Sequence, residues 1–219
     1  MFVGHAALAL AAKSRLPRLS LGWLLVATFW ADILWPVLLL LGVERVRIDP
    51  GNTAFTPLAF DWYPWSHSLL MDVAWGLLGA ALVFGAHRDR TAAWMFGALV
   101  VSHWVLDVIS HRADMPLWPG VTSPRFGLDL WRSVPATLIV EGALFAAGTA
   151  LYVRATAARD RIGSWGLAAL LTFLGVAWLS GPLGPPPPSV AAIAWAGLIA
   201  GPLVGGWGAW VDAHRVSRG

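Results

Sequence analysis

The stretch TAAWMFGALVVSHWVLDVISHRAD, residues 91–114, is an apolar run that closes in a cluster of ionisable side chains. From Thr91 to Ser110 it has the length of a helix that crosses bilayer hydrocarbon, about 20 residues. On such a helix His103, Asp107 and His111 fall four residues apart and share one stripe. An imidazole and a carboxylate one turn apart can grip one cation, because their heads converge over the same turn. His103 and His111 are about 12 Å apart along the axis, so a straight helix does not bring both to one ion. This makes His103 and Asp107 metal ligands, and His111 a second-ion ligand or a substrate contact. The plain alternative is a salt-bridged helix end. Against it, ionisable groups at membrane depth are costly and tend to be functional.

The rest of the chain fits a membrane reading. It has 219 residues, of which 58% are hydrophobic and only 12% charged, with a mean hydropathy of +0.66. Several runs are long enough to span hydrocarbon. The expected class is all-α: one integral-membrane domain over residues 1–219, a polytopic bundle of about six spans plus an N-terminal half-helix. The net charge of +3 is carried by loops, where it speaks for orientation and not for nucleic acid. Cysteine is absent, which excludes disulfides, thiolate chemistry and Cys-bound zinc. Any metal must be held by His, Asp and Glu. The first apolar stretch lacks a preceding basic region and carries His5, so it does not read as a cleavable signal.

In order, Phe2–Ala12 is too short to span and reads as a half-helix dipping into the membrane. Leu19–Gly42 is the first span, with Asp32 inside it and Pro36 expected to kink it. Residues 44–66 form a polar, aromatic-rich loop. The second span is 67–86, the third 91–110, the fourth 133–153 with Glu141, the fifth 162–183 and the sixth 190–211. Residues 112–132 are a second long loop, and Gly184–Ser189 is a stiff proline connector. Residues 1–145 carry the candidate site, and 162–211 read as scaffold. The loops holding Lys13, Arg15, Arg18, Arg88, Arg90, Arg154, Arg159, Arg161, Arg215 and Arg218 outweigh those holding Arg45, Arg47, Arg112, Arg125 and Arg132. The first set is expected in the cytoplasm, with both long loops outside.

That orientation gives each polar residue a depth. His103, Asp107 and His111 lie in the outward end of the third span, and His67 opens the second from the same side. Glu141 is about 12 Å in from its outer end, and Asp32 about 20 Å up from its inner end. His5 reaches about mid-depth from Lys13. Asp72 lies about 140° round the helix from His67 and is left out. Singly, His5 reads as a polar interface residue, Asp32 as a partner for an Arg or a backbone group, His67 as part of a helix cap and Glu141 as a buttress. Together they would each need desolvation without a reason. A divalent cation, or a pair, supplies that reason. All-nitrogen-and-oxygen donors suit zinc, manganese or iron, with zinc the first expectation.

Gly4-His5, Ala31-Asp32, Ser66-His67-Ser68 and Ser102-His103 followed by Asp107 resemble motifs of the bacterial inner-membrane-bound metal-dependent hydrolases, the YdjM-like group. That group is similar in turn to zinc-dependent phospholipases C and single-strand nucleases. The resemblance covers about residues 1–145. It implies His5, Asp32, His67, His103 and Asp107 as metal ligands, with Glu141 matching a late acidic ligand. The chain departs from the group in having Ala31 before Asp32 where Pro is frequent, and in the DWYPWSHS stretch, residues 61–68.

Two classes of function follow. The first is a multi-pass inner-membrane hydrolase acting from the outer face on a phosphoester or lipid-like substrate. Asp32 or Glu141, whichever does not ligate directly, is then the acid or base. His111, Arg112 and Arg132 are substrate contacts, with Arg125 also placed to steer an anionic ester. Its partners are membrane lipid and a small-molecule or lipid substrate, not nucleic acid. The second class is an ion- or proton-coupled transport protein, since buried His and carboxylates also serve relays. A non-catalytic membrane scaffold is the remaining alternative.

Overall fold

The computed structural model of the chain describes residues 1–218. Helix α1 is Phe2–Ala12, the half-helix, and it is sheathed in protein: Val3, Ala6, Ala9 and Leu10 are all buried. The first span is two helices, α2 (Leu21–Thr28) and α3 (Trp30–Leu40), set at 57° to each other. The bend falls at Phe29, seven residues before the expected kink at Pro36, which sits inside α3 without breaking it. Phe29 is held where the chain turns, its ring 5.7 Å from those of both Phe2 and His5. A broken helix is tolerated at membrane depth where neighbouring protein satisfies its backbone.

Helices α4 (Pro64–His67), α5 (Leu69–His87) and α6 (Arg90–Ser110) follow, then α7 (Val134–Ala155), α8 (Leu167–Leu183, entered through a π-helical turn at Ile162–Gly166) and α9 (Val190–Ala213). Among the described residues, five helices are long and apolar enough to cross a membrane: α5, α6, α7, α8 with its π turn, and α9. Counting α2–α3 as one bent span makes six. Their outward faces carry Leu82, Trp94, Ile139, Val176 and Ile199, each more than 60% exposed. Such faces are stable only against lipid. Helix pairs close through small residues, as expected where lipid offers no hydrophobic drive to association. A Cβ on Gly76 of α5 would lie 2.8 Å from the carbonyl oxygen of Gly97 on α6, and the reverse holds too.

The polar loop after α3 is a hairpin. Strand β1 (Arg45–Ile48) pairs antiparallel with β2 (Leu58–Trp62), a ladder that its mixed composition hid. The loop after α6 contains a short ladder, β3 (Met115–Pro116) with β4 (Arg125–Phe126). The turn after α7 includes β5 (Thr156–Ala158), which pairs with β6 (Arg215–Ser217) of the C-terminal tail.

These pairings give the bundle two distinct ends. At one, Lys13 Nζ bonds Asp212 Oδ2 at 2.5 Å, Tyr152 bonds Asp212 Oδ1 and β5 meets β6. At the other, Phe55 of the hairpin donates its N–H to Trp131, and Leu70 of α5 donates to Leu117. The site lies toward this second end, capped by aromatic loop residues.

Candidate metal centre

Asp107 is the fixed point of the site. It is buried on α6, and its Oδ2 lies 3.2 Å from His103 Nε2, 3.7 Å from His111 Nε2 and 4.0 Å from His67 Nε2. Its Oδ1 lies 3.0 Å from His5 Nε2 and also pairs with the Met1 amine. Asp32 faces the same histidines, with Oδ1 3.5 Å from His67 Nε2 and 3.9 Å from His103 Nε2. Two groups of three donors result: His5, His103 and Asp107; and Asp32, His67 and His103. With ligands about 2.0–2.1 Å from a tetrahedral ion, donor atoms lie about 3.3 Å apart, against 3.0–3.9 Å for the pairs here.

The decisive feature is on the far side of each imidazole. His103 Nδ1 lies 2.8 Å from the Thr28 carbonyl at the α2–α3 bend. A carbonyl only accepts, so Nδ1 carries a proton, and in the neutral ring Nε2 is the free donor atom. His67 Nδ1 lies 2.7 Å from Ser66 Oγ, and that hydroxyl lies 2.6 Å from Glu44 Oε2. Its single proton goes to the carboxylate, so His67 must donate from Nδ1 and again leaves Nε2 bare. His111 Nδ1 lies 3.0 Å from Asp114 Oδ1, which also accepts from the Tyr63 hydroxyl at 2.8 Å. Burial and the Asp114 charge hold the Tyr63 phenol well above its usual range, so it stays a donor.

In the neutral rings, three Nε2 lone pairs therefore face carboxylate oxygens. Acceptor against acceptor at 3–4 Å is repulsive unless a proton or a metal ion lies between them. Outer partners on Nδ1 that fix the tautomer are the usual support of a metal-ligating histidine. Both oxygens of buried Asp72, His103 Nε2 and His5 Nδ1 also lack a hydrogen-bond partner. The donor set fits a divalent ion.

Local sequence explains the placement. Ser68, with an extended backbone and its hydroxyl accepting from Met71, caps α5 and leaves His67 in the separate turn α4. The 140° separation of Asp72 from His67 assumed one helix through both, and Ser68 breaks it. Asp72 is wholly buried and near enough to feel the charges of His103 and Asp107. Helix α6 ends at Ser110, and His111 leaves it extended. Because Asp107 sits midway, His103 and His111 each reach it across one turn, but His111 joins neither donor group. Leu128 and Asp129 donate N–H bonds to the carbonyls of Val108 and His111, closing the loop over this end. The Trp131 ring lies 4.3 Å from that of His111.

Other expected residues are placed less closely. Glu141 is fully buried, but its Oε2 lies 3.4 Å from the Gly4 N–H and it joins neither donor group. Arg112 is exposed with Nε 3.4 Å from Asp114, and Arg132 and Arg125 are exposed on the same loop. Glu44, which the sequence places at the start of a polar loop, is buried against Ser66. Burial pushes its carboxyl up, while bonds from Ser66 and the N–H groups of Trp65 and Ser66 pull the other way. Its signal was a lone carboxylate closing an apolar span. Asp114 could have been found three residues after His111.

A model of the YdjM inner membrane proteins matches residues 64–183, more than half of the chain. The chain belongs to the YdjM inner membrane protein family. The YdjM match covers His67, Asp72, His103, Asp107, His111 and Glu141, whereas His5, Asp32 and Glu44 precede it. Comparison with curated proteins and with solved structures gives no match. Family and apolar helices together make this a multi-pass inner-membrane protein. The family description names a location and no reaction, so the chemistry rests on the side chains.

Proposed function

We propose that this YdjM-family protein is a membrane-embedded metal-dependent hydrolase. The observation that carries the reading is the set of bare Nε2 atoms of His67, His103 and His111 turned on Asp107 and Asp32. His5, Asp32, His67, His103 and Asp107 would hold a divalent ion, zinc before manganese or iron. When bound, such an ion supplies Lewis-acid polarisation of the scissile group and a more acidic attacking water. Asp32, where it does not itself ligate the ion, is the residue suited to move the proton. Its side chain is 39% exposed, whereas those of His5, His67, His103 and Asp107 are at most 4% exposed. Glu141, buried beside Gly4, is the second acid–base candidate. Arg112 and Arg132 are placed to meet an anionic substrate entering under the aromatic loop.

The transport reading would require a polar route past Asp32 to the basic end. The cavity at Asp32 and the pocket at Lys13, Arg18 and Asp212 share no lining residue. This weighs against a through-route. The test is element-resolved metal analysis of detergent-purified protein, with turnover of a chromogenic phosphodiester. His67→Ala, His103→Ala and Asp107→Asn should each lose bound metal and hydrolysis, whereas exposed His87→Ala should keep both. Equal metal in all four well-folded proteins would remove the ligand set, and metal without turnover would leave a binding protein.

A further inference from the structure

An apolar cavity touches the candidate centre at one residue, Asp32. It has a volume of about 310 Å³, at the lower end of small-molecule sites, about 300–1,000 Å³. Its walls come from the two halves of the bent span, from α8 through Phe173, Leu174 and Ala177, and from α9 between Ile193 and Gly205. The space follows from the sequence of α9. Its inner face is built of alanine and glycine, and Gly197 and Gly201 allow α3 so close that a Cβ would strike Pro36 and Ile33. Side chains that would fill the gap are absent from that face. Ala196 on the wall is exposed, so the cavity opens sideways between helices whose outer surfaces meet lipid. Among its lining residues Asp32 alone carries a charge, and the Asp32 carboxylate reaches His67 and His103.

A cavity that is apolar along its length, open toward hydrocarbon and closed by one ionisable group has the polarity profile of a single alkyl chain ending in a polar linkage. Water would have few partners there, and a polar metabolite would be stripped of its solvation along the wall. We infer that this cavity holds one acyl chain of a membrane phospholipid, entering between α8 and α9, with the ester or phosphoester end of the molecule at Asp32. That the lipid is the substrate rests on the hydrolase reading; that the chain is bound does not. The arginines of the aromatic loop then lie on the headgroup side, and the 57° bend at Phe29 is what lets Asp32 face both the cavity and the histidines.

The test uses the purified full chain in nanodiscs containing a trace of phosphatidylethanolamine with a diazirine at the end of one acyl chain. After irradiation, adducts are mapped by mass spectrometry. They should concentrate on α8 around Phe173–Ala177 and on α9 around Ile193–Gly201, above the level on the lipid-facing side of α5 at Leu82. Ala200→Trp fills the cavity from α9 and Ala177→Phe from α8. In each monodisperse variant the excess should fall to the α5 level while the α5 adducts persist. An excess unchanged in both variants, or adducts spread evenly over all lipid-facing helices, would overturn the site. Labelling is read without turnover and with chelator present. Persistent labelling in a protein that never hydrolyses a phosphodiester would sink the reaction and leave the chain site standing.

Discussion

Glu44 illustrates how a residue outside the donor groups governs them. It accepts from the Ser66 hydroxyl and from two backbone N–H groups, and this leaves Ser66 only one role toward His67, that of acceptor. Removing the hydroxyl frees the imidazole to rotate and to take either tautomer. Ser66→Ala should therefore lower metal affinity by about 10–100-fold, the usual effect of losing an outer partner. Ser66→Thr, which keeps the hydroxyl, should restore most of it. The measurement is a competition titration with a chromogenic chelator, alongside an elution profile to show that the fold is kept. Equal affinity in wild type and Ser66→Ala would mean that the relay orients nothing. Asp107 was visible in the sequence because it shares a helical stripe with two histidines. Glu44 was not, because it reaches His67 only through Ser66, which lies 22 positions along the chain.

Among the elements, α5 and α6 show how the protein fixes its ligands without a water-soluble core. They cross with Gly76 against Gly97, so their backbones touch where His103 and Asp107 begin to face inward. Gly76→Val should destabilise the pair by about 1–3 kcal/mol, the cost of overpacking a closed contact. Gly85→Val on the same helix should cost far less, since nothing lies within 4 Å of its added Cβ. Thermal unfolding in detergent, followed by tryptophan fluorescence, reads the difference. Similar melting temperatures for the two variants would mean that the crossing is looser than the geometry states. Span number and the half-helix were legible from run length alone, since twenty apolar residues have few other uses. The bend at Phe29 was not. Pro36 is the local signal, yet the turn is set by the contacts of Phe29 with Phe2 and His5 and by the bond from His103 to Thr28, none of them local in sequence. The β1–β2 hairpin was hidden for a similar reason, its strands being short and separated by a long turn.

At the scale of the whole molecule the two ends differ in charge and in structure, and they decide from which side the centre is reached. Lys13, Arg154, Arg159, Arg161 and Arg215 lie in segments drawn together by the Lys13–Asp212 bond and the β5–β6 ladder. The hairpin, the β3–β4 loop and the proline connector belong to the opposite end, where Phe55 meets both Trp131 and Trp178. Basic residues near span ends are retained in the cytoplasm, so the knot at Asp212 should face inward and the aromatic loops outward. An alkaline phosphatase reporter inserted in the β1–β2 turn between Gly51 and Thr53 should then be active, and one fused to the C-terminal tail inactive. A green fluorescent reporter at the same two places should give the opposite pattern. Exchanging Arg154, Arg159 and Arg161 for neutral residues removes part of the bias and should raise the share of inverted molecules. Fluorescence from the hairpin fusion and phosphatase activity at the tail in the unaltered chain would place Asp107 and its histidines on the cytoplasmic side. The anionic substrate, along with Arg112 and Arg132, would then belong to the inner leaflet.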